Sequence, residues 1–303
     1  MIARVRGIRS IEIATADPVR AARFYREVWN LTEVASAGPA VRLRGTARYH
    51  HVLAIKQARH APALTRITYD AASRTVVDQL YRQVRSRTDR CEPPHELRDP
   101  DSGYGFGFTD PDGWNFAVVA DAVDHQDTQS QPDRPTQVTH VNLNTPDISR
   151  ASGFLVEALG FRLIDETSAL VFFNADSSDH SAMVLSKTPI ATVNHVAFEL
   201  PDLDSVMRGA GRMKDNGYPI EWGIGRHGPS GNVFAYFAGP DEFPIEYTSE
   251  VRQIDETYEP HGPDYWRWPP GRADEWGVTH PHTARWKRIQ TMFQPPWEDF
   301  RLT

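Results

Sequence analysis

Hydrophobic and polar positions follow the same order four times along the chain: an alternating strand, an amphipathic helix and a group of short strands. In the first unit, residues 8–14 (IRSIEIA) alternate as in a strand, and Asp17 can cap the helix PVRAARFYREVW. Short strands are predicted near residues 31–36, 40–45 and 50–56. The second unit repeats this order, with a strand at 64–70, a helix near 72–87 and strands near 104–109 and 114–120.

The second half of the chain starts the pattern again. Its third unit begins with the strand VTHVNLN, followed by a helix from about Asp147 to just before Gly160 and strands near 161–165, 169–174 and 180–186. The fourth unit has a strand at 193–200, a helix over 202–215 that stops at Gly217, and strands at 232–238 and 243–249. FTDPDGWNFAV (108–118) aligns with FAGPDEFPIEY (237–247), so the two halves indicate a duplication.

The repetition predicts an α+β protein with two domains, residues 1–123 and 137–250, joined by a polar, proline-containing linker at 124–136. Residues 251–303 break the pattern. This C-terminal tail holds five of the eight tryptophans, and so much aromatic surface is expected to pack on a domain or on a neighbouring subunit. These five are Trp266, Trp268, Trp276, Trp286 and Trp297.

Three strand-like runs of the second half each carry one metal-ligand type: His140, His195 and Glu246. Under the alignment of the halves, the corresponding first-half residues are Ser10, Arg66 and Ala117, none of which has those ligand groups. A single histidine in a strand is ordinarily a hydrogen-bonded structural residue. Two histidines and a carboxylate in equivalent strands of one half favour a metal site, and this is the ligand set of mononuclear non-haem Fe(II) centres.

Composition and charge exclude several classes of partner and location. The net charge of −7 and pI near 5.9 give no footprint for nucleic acid. No apolar run approaches the ~18 residues of a membrane span, and the N-terminal residues lack the features of a signal peptide. With Cys91 as the single cysteine, an internal disulfide is excluded. We therefore expect a cytoplasmic protein with no nucleic-acid or membrane partner.

The βαβββ unit with histidine in HVNLN, histidine in NHVAF and glutamate in IEYT resembles the vicinal oxygen chelate superfamily over residues 8–250. More narrowly, it is similar to the type I extradiol catechol dioxygenases. That resemblance implies four βαβββ modules forming two incomplete β-barrels, the first domain without metal and the second catalytic. It also implies Fe(II), or Mn(II), bound by His140, His195 and Glu246.

Four further residues match the family pattern by their spacing: Asn142, His180, His227 and Tyr236. By resemblance, His180 stands beside O₂, and His227 and Tyr236 hydrogen-bond the substrate oxygens and move protons. Asn142 is implied to lie beside bound O₂ and substrate. Taken alone, each has an ordinary structural interpretation. Phe172, Phe173, Trp222 and the tail tryptophans are expected to line an aromatic pocket.

The resemblance thus implies an extradiol dioxygenase that opens a substituted catechol with O₂ in aromatic catabolism, and a homo-oligomer, either dimer or tetramer. Two alternatives from the same superfamily stay open: a metal-dependent glyoxalase-like isomerase or thiol transferase, and a metal-free ligand-binding protein. The ring substituent of the catechol is not specified by the sequence.

Overall fold

The computed structural model describes residues 2–35, 38–98, 103–296 and 302. The first-half strands are β1 (Gly7–Thr15), β2 (Thr32–Val34), β3 (Val41–Arg44), β4 (Leu53–Gln57), β5 (Ala63–Asp70), β6 (His95–Glu96), β7 (Tyr104–Thr109) and β8 (Asn115–Ala120). The second-half strands are β9 (Val138–Thr145), β10 (Arg162–Glu166), β11 (Leu170–Asn174), β12 (Met183–Lys187), β13 (Thr192–Glu199), β14 (Trp222–Arg226), β15 (Val233–Ala238) and β16 (Pro244–Ser249). The α-helices are α1 (Pro18–Glu27), α2 (Arg74–Arg85), α3 (Ile148–Leu159), α4 (Leu203–Asp215) and α5 (Ala284–Ile289).

Each half forms one mixed sheet with the same strand order. The first runs β2-β3-β4-β1-β5-β8-β7-β6, and the second runs β10-β11-β12-β9-β13-β16-β15-β14. The two edge strands of each sheet have no pairing with each other in the described part of the chain, so each sheet is an open, incomplete barrel. The predicted α+β fold with four βαβββ modules is confirmed.

The helix ends show why these sequences fold alike in both halves. The Asp17 side chain accepts from Arg20 N at the start of α1, and Asp147 accepts from Arg150 N at the start of α3. Helix α3 ends at Gly160, whose φ of 70° lies in the left-handed region that favours glycine. A Cβ at Gly160 would also collide with the backbone of Ala3, so the N-terminal segment passes directly over this helix end.

The strand register gives the two halves equivalent positions. His140 pairs with Ala197, which pairs with Glu246; in the first half Ser10 pairs with Thr68, which pairs with Ala117. Likewise Asn142 pairs with His195, and Glu12 pairs with Arg66. The equivalence inferred from sequence therefore holds in the sheets.

The first half fills the equivalent of the metal-ligand region with an ion-pair cluster. Glu12 lies 2.9 Å from Lys56 Nζ and 3.4 Å from Arg66 Nη2. Burial raises the pKa of Glu12, but Arg66 and Lys56 outweigh it and lower that pKa to about 2. The Glu12 carboxylate is therefore already paired with two side-chain cations, Lys56 and Arg66, and is not available to a metal ion.

Residues of the first half pack against and hydrogen-bond to β16, the strand that carries Glu246, and the neighbouring helix α4. Trp29 stacks on Tyr247 with ring centroids 3.6 Å apart and planes inclined by 9°. The Tyr247 hydroxyl donates to Trp29 O at 3.0 Å, and Arg212 Nε donates to Val28 O at 2.7 Å. Because side chains alternate across a strand, Tyr247 packs on the face opposite Glu246 and supports β16 from behind.

Three elements were not predicted: β6, β14 and α5. The run WGIGR of β14 has two glycines among five residues, which removes the alternation that marks a strand. Helix α5 lies in the tail, capped by Thr283, and is too short to show a helical period in sequence. None of the helices in the described ranges is long and apolar enough to cross a membrane.

Candidate metal centre and cavity

Three side chains of the second sheet converge on one point. His140 on β9, His195 on β13 and Glu246 on β16 are buried, and one ligand atom from each lies within 4.8 Å of the others. The Nε2 atoms of His140 and His195 are 3.2 Å apart. Glu246 Oε2 lies 3.1 Å from His195 Nε2 and 3.4 Å from His140 Nε2.

This donor set fits a divalent cation. Ligands at right angles around an ion, each about 2.1 Å from it, stand about 3 Å apart, which is close to the spacing observed. Glu246 Oε2 is fully buried and makes no hydrogen bond within the described part of the chain, as expected of an atom that faces a metal. Burial alone would raise the pKa of Glu246, but the two imidazoles hold it well below its usual range. The carboxylate is therefore ready to ligate.

Hydrogen bonds orient the ligands. His195 Nδ1 lies 2.8 Å from Asn194 Oδ1, which also accepts from Gln290 Nε2 at 2.6 Å. A proton held on Nδ1 leaves the Nε2 lone pair of His195 free for a metal. Asn232 Nδ2 donates to the other oxygen of Glu246, Oε1, at 3.3 Å. Burial also lowers the pKa of His195, which favours its neutral, ligating form.

A cavity of about 240 Å³ opens directly beside His140 and His195. Three of the predicted site residues, Asn142, His227 and Tyr236, contribute to its wall. The other lining residues are Thr167, Leu170, Phe172, Ser181, Val184, Asn194, Trp222, Gly228, Pro229, Ser230, Trp268, Ala273, His282, Trp286 and Gln290.

Of the residues expected to form the aromatic lining, Phe173, Trp266 and Trp276 do not line the cavity; Trp266 and Trp276 lie against the guanidinium groups of Arg252 and Arg226 instead. Phe172 and Trp222 line the cavity, but Phe173 points to the opposite face of β11 and packs edge-on against Phe161 in the core. Neighbouring residues of a strand face opposite sides, so only one of the two phenylalanines can reach the cavity. Of the tail tryptophans, Trp268 and Trp286 line it, whereas Trp297 lies outside the described residues.

His227 and Tyr236 form a hydrogen-bonded pair on the cavity wall. His227 Nε2 lies 2.8 Å from the Tyr236 hydroxyl, and the Tyr236 ring stands edge-on to His195 with centroids 4.9 Å apart. Burial lowers the pKa of His227 to about 4 and raises that of Tyr236 well above its usual value. At neutral pH both groups are therefore uncharged, and this hydrogen-bonded pair can pass a proton next to the ligands.

His180 is placed differently from the sequence-based expectation. Its ring is fully buried, with Nε2 2.8 Å from Asp165 Oδ2 and an edge-on contact to Phe172. The neighbouring residue, Ser181, reaches the cavity wall, and its hydroxyl lies 3.4 Å from His180 Nδ1. His180 therefore stands one layer behind the cavity, and its role beside O₂ stays a prediction.

Asp165 holds His180 and the tail together. This buried carboxylate also accepts from the Tyr258 hydroxyl at 2.8 Å and from His261 N at 2.7 Å. Burial raises its pKa, but the hydrogen bonds from His180, His261 and Tyr258 outweigh it, so the pKa of Asp165 is lowered. The tail thus packs on its own chain and reaches the cavity through Trp268, His282, Trp286 and Gln290.

We expect Asp165→Asn to lower the free energy of unfolding by about 2–4 kcal/mol, because the amide presents N–H groups where the carboxylate accepts three hydrogen bonds. Urea denaturation measures the change. Asp176→Asn is the matched control, since Asp176 is 55% exposed in its pair with Arg4 and should cost under about 1 kcal/mol. Equal stability of the two variants would show that Asp165 does not anchor the tail.

Comparison with known proteins identifies the family. A sequence model of the Glyoxalase/Bleomycin resistance protein/Dioxygenase superfamily matches residues 7–118 and 137–247, which is more than half of the chain. The chain belongs to this superfamily. The two matched ranges coincide with the two sheets, one match to each half.

Relatives within the superfamily carry dioxygenase and glyoxalase names. Metapyrocatechase 2 from Cupriavidus necator is 34% identical over 146 residues, which are 48% of this chain and 43% of that protein, so less than half of the relative is spanned. The manganese-dependent 2,3-dihydroxybiphenyl 1,2-dioxygenase from Geobacillus genomosp. 3 is 22% identical over 79% of this chain and 83% of its own length. A Mn(II)-bound glyoxalase from Novosphingobium aromaticivorans has 31% identity and a TM-score of 0.83, covering 92% of this chain and 95% of that chain.

Several site residues of this superfamily member were missed from sequence. Asn194 directly precedes His195, and an asparagine beside a ligand histidine is a signal that could have been noticed. Asp165 and Gln290 carry no such signal. Each is separated from its partner by many residues, and only the fold of the tail brings Asp165 to Tyr258 and Gln290 to Asn194.

Proposed function

We propose that this protein is a metal-dependent extradiol dioxygenase, which uses Fe(II), or Mn(II), and O₂ to open a catechol ring beside its two hydroxyls. The observation that carries the proposal is the convergence of His140, His195 and Glu246 next to a cavity that is lined by the two histidines and by the His227–Tyr236 pair. Two relatives with dioxygenase names, metapyrocatechase 2 and the manganese-dependent 2,3-dihydroxybiphenyl 1,2-dioxygenase, support it.

His140, His195 and Glu246 would hold the cation, and the cavity beside them offers room for small molecules to bind to it. The bound cation would hold a catecholate and O₂ together and supply the path for electrons between them. Catechol must lose protons to chelate, and the Tyr236–His227 pair lies at the ligands to take and return them. Trp222, stacked against Tyr236 at 5.2 Å, keeps this end of the cavity apolar and limits water.

His180 and Asn142 complete the proposed machinery. We assign His180 a proton-transfer role that acts through the Ser181 hydroxyl, with Asp165 fixing the ring orientation. Asn142 lines the cavity next to His140, and its Oδ1 is held by the Ser186 hydroxyl at 2.8 Å, which turns the amide N–H₂ toward the remaining space.

The domain roles follow as part of the same proposal. Residues 1–123 act as a scaffold without metal, residues 124–136 link the halves, and residues 137–250 carry catalysis. Residues 251–303 form the C-terminal tail, whose described part covers the cavity. The ion-pair cluster at Glu12 supports the first assignment, and the cavity-lining tail residues support the last. Assembly into a dimer or tetramer and a cytoplasmic location stay predictions.

A glyoxalase activity is the second candidate, favoured by the 31% identity to the Mn(II)-bound glyoxalase over 92% of this chain. A glyoxalase-type isomerase needs a base next to a metal-bound carbonyl compound, and the His227–Tyr236 pair lies where such a base would stand. It would not need O₂.

One experiment separates the two. Protein purified anaerobically and analysed for iron and manganese is mixed with catechol, and O₂ uptake and the ring-opened product are followed. A thiol adduct of methylglyoxal is tested in parallel without O₂. Stoichiometric O₂ consumption with catechol supports the dioxygenase, whereas isomerisation of the adduct without O₂ uptake on any catechol overturns it.

A further inference from the structure

We propose that the cavity selects catechols whose ring substituent is uncharged and apolar, an alkyl or aryl group, and rejects carboxylated catechols. This inference rests on the proposed dioxygenase function and names its substrate class. It follows from the residues that line the cavity in addition to the metal ligands.

The wall of the cavity is built from apolar and neutral side chains. Its lining includes Leu170 and Phe172 on β11, Pro229 in the turn after β14, and Trp268 and Ala273 of the tail. No aspartate, glutamate, lysine or arginine is present among the described residues that line the cavity. The wall histidines His227 and His282 do not supply a positive charge in place of lysine or arginine. Burial lowers the pKa of both, which favours the neutral imidazole.

Two arginines adjoin the turn that lines the cavity, and neither is among the described lining residues. Arg226 donates to Gly231 O and pairs with Glu250, while its guanidinium lies 5.0 Å from the centre of the Trp276 ring. Arg252 donates to Gly228 O at 3.2 Å and lies 5.7 Å from the centre of the Trp266 ring. Both are fixed by carbonyls and aromatic faces behind the turn, so neither side chain is directed at a ligand.

The cavity should therefore discriminate between ring substituents by the free energy of transferring each of them from water to its wall. A catechol binds through its two oxygens, so its substituent must enter the apolar wall. An alkyl or aryl group gains from leaving water there. A carboxylate entering the same space loses its hydration and meets no lysine or arginine among the described lining residues to compensate its charge.

Anaerobic calorimetric titration of the Fe(II)-loaded protein with two matched probes tests this selection. 4-Isobutylcatechol and 3,4-dihydroxyphenylacetate differ mainly by two methyl groups in place of two carboxylate oxygens. We expect the alkyl compound to bind at least about 100-fold more tightly. 2,3-Dihydroxybiphenyl, the aryl probe, should follow the alkyl compound. Equal or tighter binding of the carboxylate overturns the inference.

A charge introduced into the wall should change the preference. Leu170 lines the cavity and is partly exposed, so Leu170→Arg can be accommodated and should reduce the preference at least tenfold by pairing with the carboxylate. Leu163→Arg is the matched control, because Leu163 is 42% exposed on the neighbouring strand β10 and is not part of the wall. An unchanged ratio in Leu170→Arg, or an equal change in both variants, contradicts the assigned wall.

The same titrations keep this inference distinct from the proposed function. If both catechols bind in the expected order but no O₂ is consumed on admission of air, the dioxygenase proposal fails and the selectivity stands. If O₂ is consumed and the carboxylated catechol is the better ligand, the proposed selectivity fails and the dioxygenase proposal stands. Failure of every catechol to bind the loaded protein overturns both.

Discussion

Glu246→Gln is expected to give a folded protein that retains no stoichiometric metal and has no measurable dioxygenase activity. Glu246 supplies the one negative charge among the three ligand residues, and its Oε2 lies 3.1 Å from His195 Nε2. Glutamine keeps the volume and can still accept at one oxygen from Asn232. It removes the anionic donor, however, so both metal affinity and activity should fall together.

Metal analysis after anaerobic purification and dialysis, with circular dichroism as the check on folding, measures this effect. Glu199→Gln is the matched control, because Glu199 is a partly buried carboxylate on β13 that hydrogen-bonds Gln137 and Thr136 away from the cavity. The control should bind metal like the wild type. One equivalent of iron retained in Glu246→Gln would show that this carboxylate is not a ligand.

Tyr236→Phe is expected to keep the metal and still bind catechol, yet to lower kcat by about 10²–10⁴-fold. The hydroxyl lies 2.8 Å from His227 Nε2, and its loss breaks the hydrogen-bonded pair through which the catechol proton would be passed. The ring itself should remain in place, since it packs against Trp222 and Trp286.

O₂-uptake kinetics, anaerobic catechol titration and iron analysis are compared with those of Tyr247→Phe. Tyr247 lies on the next strand but faces the first half, where its hydroxyl donates to Trp29 O. That control should lose some stability and keep its kcat. A normal rate in Tyr236→Phe would remove Tyr236 from the mechanism, and a loss of iron would make it a structural support of the ligands.

Residues 8–250 could be predicted well because their pattern is local and occurs four times. Most strands of the modules show their own alternation, β6 and β14 excepted, and the ligand positions stand out by contrast with Ser10, Arg66 and Ala117 in equivalent strands. The comparison between halves does not give the same support to His180. The β3–β4 connection and the β11–β12 connection each contain a residue that forms an isolated β-bridge, Tyr49 in the first half and Asp179 in the second. A histidine follows it in both halves, His50 and His180.

The tail could not be placed from sequence for a physical reason. Its contacts are between residues far apart in the chain, such as Tyr258 with Asp165 and Gln290 with Asn194. No periodicity records such pairs, and helix α5 is too short to bury a face without the sheet beneath it. The prediction that the aromatic tail must pack was sound, but its destination depended on the completed second sheet.

Gln290 couples two equilibria: the packing of the tail on the second sheet and the binding of a cation by the three ligands. Gln290 Nε2 holds Asn194 Oδ1, which holds His195, while Gln290 O accepts from Thr192 and Asn144 on the two central strands. A cation that favours the oriented imidazole therefore also favours the docked tail, and by linkage a docked tail strengthens cation binding by the same factor. Any separation of the tail from the sheet would therefore weaken cation binding, so we expect metal retention to depend on the docked tail as well as on the three ligands.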